Sequence, residues 1–167
     1  MSTTGAGPGA TVGRTRDAVV REIGQHLRAE CDQDLEALLA GMTEDCYNLV
    51  VCDPSPLYRG PEEVGRRYRG LWAALPDLQV RLRRVVAIDG DTAVTEHELS
   101  GTHGGPLFGV PATGRKLTVD TCVLWEFAGT KVRGETVYFD VASLLRQAGV
   151  LELPAPSSGS CTSASQD

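Results

Sequence analysis

The sequence has no apolar run approaching the ~18–20 residues that a membrane-spanning helix requires, which excludes an integral helical membrane protein. Its five cysteines, Cys31, Cys46, Cys52, Cys122 and Cys161, form no Cys-x-x-Cys pair. No histidine stands at a spacing suited to zinc, so the sequence predicts reduced thiols, no metal and a cytoplasmic location. A surplus of positive charge is also missing: the formal net charge is −6 and the pI about 5.1. That balance opposes the counterion release on which nucleic-acid binding depends, so nucleic acid is excluded as an expected partner. Lysine is scarce, two residues against fourteen arginines, a usage that GC-rich codons would produce. The first residues have neither a basic start nor an apolar core and read as no secretory leader. Gly-x-Gly-x-x-Gly, the P-loop, the Gly-x-Ser-x-Gly elbow and His-Glu-x-x-His are all absent. A site that works without a cofactor is the simplest enzyme left.

The 167 residues suit one domain, long enough to bury roughly two-thirds of its unfolded surface. Residues 1–13 and 152–167 are rich in Gly, Ser, Thr, Ala and Pro and are expected as disordered tails around a domain at 14–151. Val19, Ile23, Leu27 and Cys31 recur at helical spacing, and Asp34 caps a shorter second helix that Gly41 ends. Cys46 to Val51 forms a β-type run. Gly60-Pro61-Glu62-Glu63 then opens a helix over Pro61 to Ala74, with proline and acids in its first turn and Pro76 as its stop. From Leu78 onward the period becomes two, and Asp89-Gly90 marks a hairpin. Strands are expected at Thr92 to Ser100, Arg115 to Phe127 and Lys131 to Phe139, then a helix at Val141 to Ala148. Helices first and antiparallel strands afterwards predict an α+β fold, with helices packed on one face of a curved antiparallel sheet.

Ionisable residues in apolar strands are the candidate proton carriers, because burial moves their pKa into a usable range. Asp140 follows Thr136-Val137-Tyr138-Phe139 and shares a face with Tyr138, where a carboxylate would line a concave pocket. It also immediately precedes Val141-Ala142-Ser143-Leu144-Leu145, where an aspartate is a standard N-cap. Both readings stand at this point. Flanking glycines in Gly101-Thr102-His103-Gly104-Gly105 let the chain approach closely and aim the His103 imidazole at a ligand, or hold it in a structural hydrogen bond. His97 shares an inward face with Thr95 and Leu99. Glu98 lies on the opposite face with Glu96, and Asp120, on a mostly apolar strand, suits an ion pair with an arginine. Tyr47, Trp72, Phe108 and Tyr138 are expected pocket walls. Arg66, Arg67, Arg69, Arg81, Arg83 and Arg84 read as a solvated face rather than a basic patch.

Three separate stretches resemble the SnoaL-like polyketide cyclase family, on the cone-shaped fold shared with nuclear transport factor 2 and ketosteroid isomerase. They are Tyr58-Arg59-Gly60-Pro61-Glu62-Glu63 with Leu75-Pro76-Asp77-Leu78, then Gly101 to Gly105 with Phe108-Gly109-Val110-Pro111-Ala112-Thr113-Gly114-Arg115, and finally Tyr138-Phe139-Asp140 with Leu144 to Gly149. The likeness covers Arg14 to Leu151. It implies that the family's acid/base aspartate falls on Asp140 and its Gly-x-His histidine on His103. The second histidine of aromatic-polyketide cyclases would fall at Val123, a departure from that pattern.

The resemblance implies a cofactor-independent cyclase acting on a polyketide-like small molecule. Asp140 would take a proton next to a carbonyl, His103 would orient it or protonate the developing alkoxide, and the enolate would close a ring in an aldol-type condensation. Epoxide opening, pericyclic closure and a non-catalytic binding role are the alternatives on the same fold. A homodimer through the exposed sheet face is also expected.

Overall fold

The structure is a computed structural model that describes residues 14–53 and 57–152. The expected tails lie outside these residues except for Glu152, as does Cys161. The N-terminal layer is α1 (Arg16–Cys31), capped by Thr15, and the short α2 (Leu35–Ala40), capped by Asp34, whose carboxylate accepts from Ala37 N at 3.0 Å. β1 (Met42–Val50) and β2 (Leu57–Arg59) lead into α3 (Gly60–Ala74). There Pro61 sits in the first turn, and the Glu63 carboxylate accepts from Arg59 N at 2.9 Å. A meander follows: β3 (Gln79–Asp89), β4 (Thr92–Thr102), β5 (Lys116–Ala128) and β6 (Lys131–Phe139). α4 (Val141–Ala148) then ends in the left-handed Gly149 (φ 78°).

The six strands form one sheet in the order β2-β1-β6-β5-β4-β3. The expectation of a purely antiparallel sheet needs correction: β1 and β6 pair parallel, with Asn48 opposite Glu135 and Val50 opposite Val137. A parallel pair needs a long crossover, supplied here by α3 and the rest of the meander. The three-residue β2 carries no periodicity signal and was not anticipated. Register shifts between Leu82 and Arg84 and between Val85 and Ala87 move β3's inward positions to Val80, Leu82, Val85 and Ile88. Such bulges bend and twist a strand, and this sheet curves around its helices. The concave face meets α1 through Ile23 and Leu27 and α3 through Val64 and Trp72. Val85, Ala93, Val123, Trp125 and Phe127 are buried on the sheet side. Each fully buried large apolar side chain contributes ~1.5–3 kcal/mol to this packing. Among the described residues no helix is long and apolar enough to cross a membrane.

Candidate active site

A cavity of about 660 Å³ opens inside the curved sheet. Val50, Leu71, Leu99, Val137, Phe139 and Leu144 make it largely apolar, and Phe108 stands at its wall 5.8 Å from the Phe139 ring. Its polar side chains are Asp53, Tyr58, Arg66, Arg67 and Thr121. The Tyr58 hydroxyl donates to Asp53 Oδ2 at 3.1 Å. Burial, followed by the hydrogen bond to Asp53 and its charge, raises the Tyr58 pKa and keeps the phenol protonated.

Period-two alternation places a second polar group beneath the first. Val50, Val137 and Leu99 line the cavity, and two residues before each on the same strand face stand Asn48, Glu135 and His97. Asn48 is 0% exposed, Glu135 4% and His97 1%. α3 adds Tyr68 next to Arg67, and α1 adds Glu22, His26 and Glu30, one polar residue per turn on its buried side. Tyr68 OH lies 3.0 Å from both Glu135 oxygens, His26 Nε2 lies 3.0 Å from Glu135 Oε1, and Asn48 Nδ2 donates to Glu135 Oε2 at 3.1 Å. Burial pushes the Glu135 pKa up, but the His26 charge and hydrogen bond, Arg67 and the Tyr68 hydroxyl together hold it below the usual value. For His26, burial lowers the pKa, and the charge and hydrogen bond of Glu135, with Glu30, more than restore it. For Glu30, burial outweighs the charges of His26 and Arg67 and, with Glu135 nearby, raises its pKa to about 7. Arg67 lines the cavity with its guanidinium 4.9 Å over the Tyr68 ring, and its Nη1 is buried with no hydrogen-bond partner.

The residues expected from sequence distribute differently. Asp140 is exposed, and its Oδ1 accepts from Ser143 N at 3.1 Å as the N-cap of α4. Its expected place in the concave pocket is corrected, because alternation along β6 turns Glu135, Val137 and Phe139 inward and carries Tyr138 out. Tyr138, 44% exposed, does not wall this cavity; with Asp140, Asp120, His97 and Arg83 it lines a second, more open groove of about 630 Å³. Asp120 and Glu98 both meet Arg83 there, Asp120 at 3.4 Å, and Arg81 lies 3.4 Å from Glu98. Tyr47 lies over Gly134 and donates to Glu126 Oε1 at 2.8 Å, and Trp72 is core, its indole donating to Glu30 O at 2.9 Å. Neither is a cavity wall. Phe108 is one.

The two histidines are both interior. Trp125 Nε1 donates to Thr95 Oγ1 at 2.7 Å, and that hydroxyl lies 2.6 Å from His97 Nε2, free to donate to it. This arrangement fits a neutral ring, and burial, followed by the charge of His26, lowers the His97 pKa to about 4 against the pull of Glu135. His103 Nδ1 lies 2.9 Å from Thr113 Oγ1, and its Nε2 is buried without a partner. Arg67 departs from the expected solvated face, whereas Arg66 is exposed and pairs with Glu63 at 3.5 Å. Glu135, Tyr68, His26, Asn48, Glu30, Asp53 and Tyr58 were missed as site residues. Two signals were present: the four-residue repeat of Glu22, His26 and Glu30, and the two-residue step from Glu135 to Val137. Among the described residues no group of three or more His, Cys, Asp or Glu is placed to hold a metal ion.

Solved structures of known proteins share this architecture. TsrD from Streptomyces laurentii is 25% identical with a TM-score of 0.72, the alignment covering 83% of this chain and 99% of that one. IdmH from Streptomyces antibioticus is 23% identical with a TM-score of 0.65, covering 78% and 97%. An LEH-like epoxide hydrolase of M. tuberculosis is 20% identical with a TM-score of 0.61, covering 78% and 92%. A comparison with curated proteins finds no match. The SnoaL-like polyketide cyclase family model matches residues 24–148, three-quarters of the sequence and nearly all of the folded domain. With the curved sheet, its concave cavity and this match together, the chain belongs to the SnoaL-like polyketide cyclase family.

Proposed function

We propose that the protein is a cofactor-independent cyclase that folds a flexible polyketide chain in its cavity and closes a ring by an aldol-type condensation. The observation that carries this reading is a concave, largely apolar cavity of about 660 Å³ whose polar groups include a carboxylate and a phenol in direct hydrogen bond, Asp53 and Tyr58. Asp53 removes a proton next to a carbonyl, the enolate carbon attacks a second carbonyl of the same chain, and Tyr58 protonates the resulting alkoxide. The proton held by Asp53 then returns to Tyr58, so the step is redox-neutral and leaves both residues as they began. Positioned acid/base groups of this kind contribute ~10²–10⁴-fold in rate. Holding the two carbonyl carbons together contributes up to ~7–11 kcal/mol in favourable cases.

Asp140, the base implied by the family resemblance, is the competing assignment and gives the test its second arm. Metabolite profiling of the source strain, deleted for this gene and complemented with wild type, Asp53→Asn or Asp140→Asn, separates the two. The expected result is an uncyclised isomer or shunt product in the deletion and in Asp53→Asn, with the product restored by Asp140→Asn. The reverse pattern moves the chemistry to the outer groove. Product from both variants indicates a shape-directed, pericyclic closure, and an unchanged profile on deletion removes the cyclase reading.

A second copy of the chain is the proposed partner of the outer sheet face, where Leu124 is 36% and Tyr138 44% exposed beside Cys122. Light scattering after gel filtration should give a dimer for wild type and a monomer for Leu124→Arg.

A further inference from the structure

We infer that Arg67 anchors a planar two-oxygen anion of the substrate, a carboxylate or the enolate of a 1,3-dicarbonyl unit. This inference rests on the cyclase reading of the same cavity and specifies which part of the chain is held, and where. Arg67 is the cavity cation without a direct partner among the described residues: Glu135 and Glu30 feel its charge through space, but no ion pair joins it to a carboxylate, and Nη1 is buried without an acceptor. The nearby carboxylate of Glu135 is committed to His26, Tyr68 and Asn48. Arg66, one residue earlier, also borders the cavity, but it is exposed and its charge is paired with Glu63.

An enclosed guanidinium donor without an acceptor is costly, and an apolar wall supplies none. The guanidinium presents parallel N–H groups in a fixed fork that matches two oxygens in one plane. Both a carboxylate and an enolised 1,3-dicarbonyl offer that geometry, whereas an isolated ketone offers one oxygen. The Tyr68 ring beneath the guanidinium orients the fork from the other side. An anion held there places the rest of the chain along Leu71, Leu99 and Val137.

The test uses the full-length protein and equilibrium binding by calorimetry, with two matched probe pairs. One is an open-chain 1,1,1-trifluoroalkane-2,4-dione, ionised at pH 8 and able to turn both oxygens to one side, against its methyl enol ether. The other is the alkanoate of equal chain length against its methyl ester. Wild type should bind at least one anion ~10–100-fold more tightly than its neutral partner, the range expected for hydrogen bonds to a charged group. Which anion shows the preference identifies the source of the two oxygens. Arg67→Gln should abolish the preference and leave neutral-probe affinity within about twofold. Should that variant fail to fold by circular dichroism, Arg67→Lys keeps the charge without the fork and should lose about tenfold for the preferred anion. Equal binding of anion and neutral probe by wild type overturns the inference. So does a preference that survives Arg67→Gln, or that vanishes in Arg66→Gln, and so does undiminished anion affinity in Arg67→Lys. Because the readout is binding, discrimination without turnover leaves the anchor standing and removes only the cyclase reading. Turnover without discrimination does the opposite.

Discussion

The two stripes of β6 and its extension into α4 carry one acidic residue each, and they live in different chemical worlds. Glu135 is enclosed by hydrogen bonds from three elements and cannot lose a partner without stranding a charge. Asp140 stands in water, where its carboxylate closes the first turn of a helix. The difference shows that an acid's role follows the face on which alternation leaves it, more than its distance from a recognisable motif.

The sharpest way to break this comparison is to remove the inner carboxylate. Glu135→Leu should cost ~3–5 kcal/mol in urea unfolding, because the Tyr68 hydroxyl, the Asn48 amide and the His26 ring lose their shared buried acceptor, and burial then lowers the His26 pKa with no Glu135 charge to restore it. Adding His26→Leu should recover part of that loss; no recovery would show that the two groups are not coupled.

A smaller effect concerns Glu30. Its pKa rises from 4.5 to about 7 on folding, so the folded state retains a proton that the unfolded chain releases between those values. Stability from this group therefore falls as pH rises through that window and is level above it, a cost of about 3 kcal/mol. His97 runs the other way: its pKa is lowered to about 4, so its contribution is lost as pH falls from 6.5 toward 4. The opposed slopes mask each other in wild type. Glu30→Gln should be more stable than wild type at pH 8 but not at pH 4, and should expose the rising slope of His97 between pH 4 and 6.5. A constant difference across the range would contradict the assignment.

On the outer stripe the expected losses are modest. Asp140→Ala should lose ~0.5–2 kcal/mol as a missing cap, and Asp140→Asn, whose side-chain oxygen also accepts from Ser143 N, close to nothing. Equal losses in both would mean that the charge itself is needed. Smallest of all, Glu96→Gln should leave thermal unfolding unchanged within error, since its bidentate partner Arg84 is exposed to water. A clear shift in its melting curve would show that this outer pair stabilises the sheet.

The helices and hairpins were legible because their signals are local. Proline and acids opened α3, Asp89-Gly90 turned β3 into β4, and β6 and α4 fall at the residues expected from periodicity and capping. The parallel pairing of β1 with β6 was not legible, since it depends on where a distant strand returns. Of the four aromatics expected at a wall Phe108 lines the cavity, and the N-cap place of Asp140 is one of its two readings from sequence. Which stripe of β6 faces the apolar cavity is not legible, because Tyr138 and Thr136 suggest a pocket as readily as Val137 and Phe139 do. Arg67 looked solvated among its arginine neighbours. Its place at the cavity depends on how α3 packs against the sheet, and no pattern within the helix encodes that.

At Gly105 a Cβ atom would stand 2.3 Å from the carbonyl oxygen of Ala73, and the amides of Gly104 and Gly105 both donate to Ala74 O. The segment that carries Leu107 and Phe108 to the cavity is thus moored to the last turn of the helix that carries Arg67 and Leu71. For protein engineering, the portable cassette is the loop together with that helix end. Transplanting the loop alone would leave the new mouth without its berth.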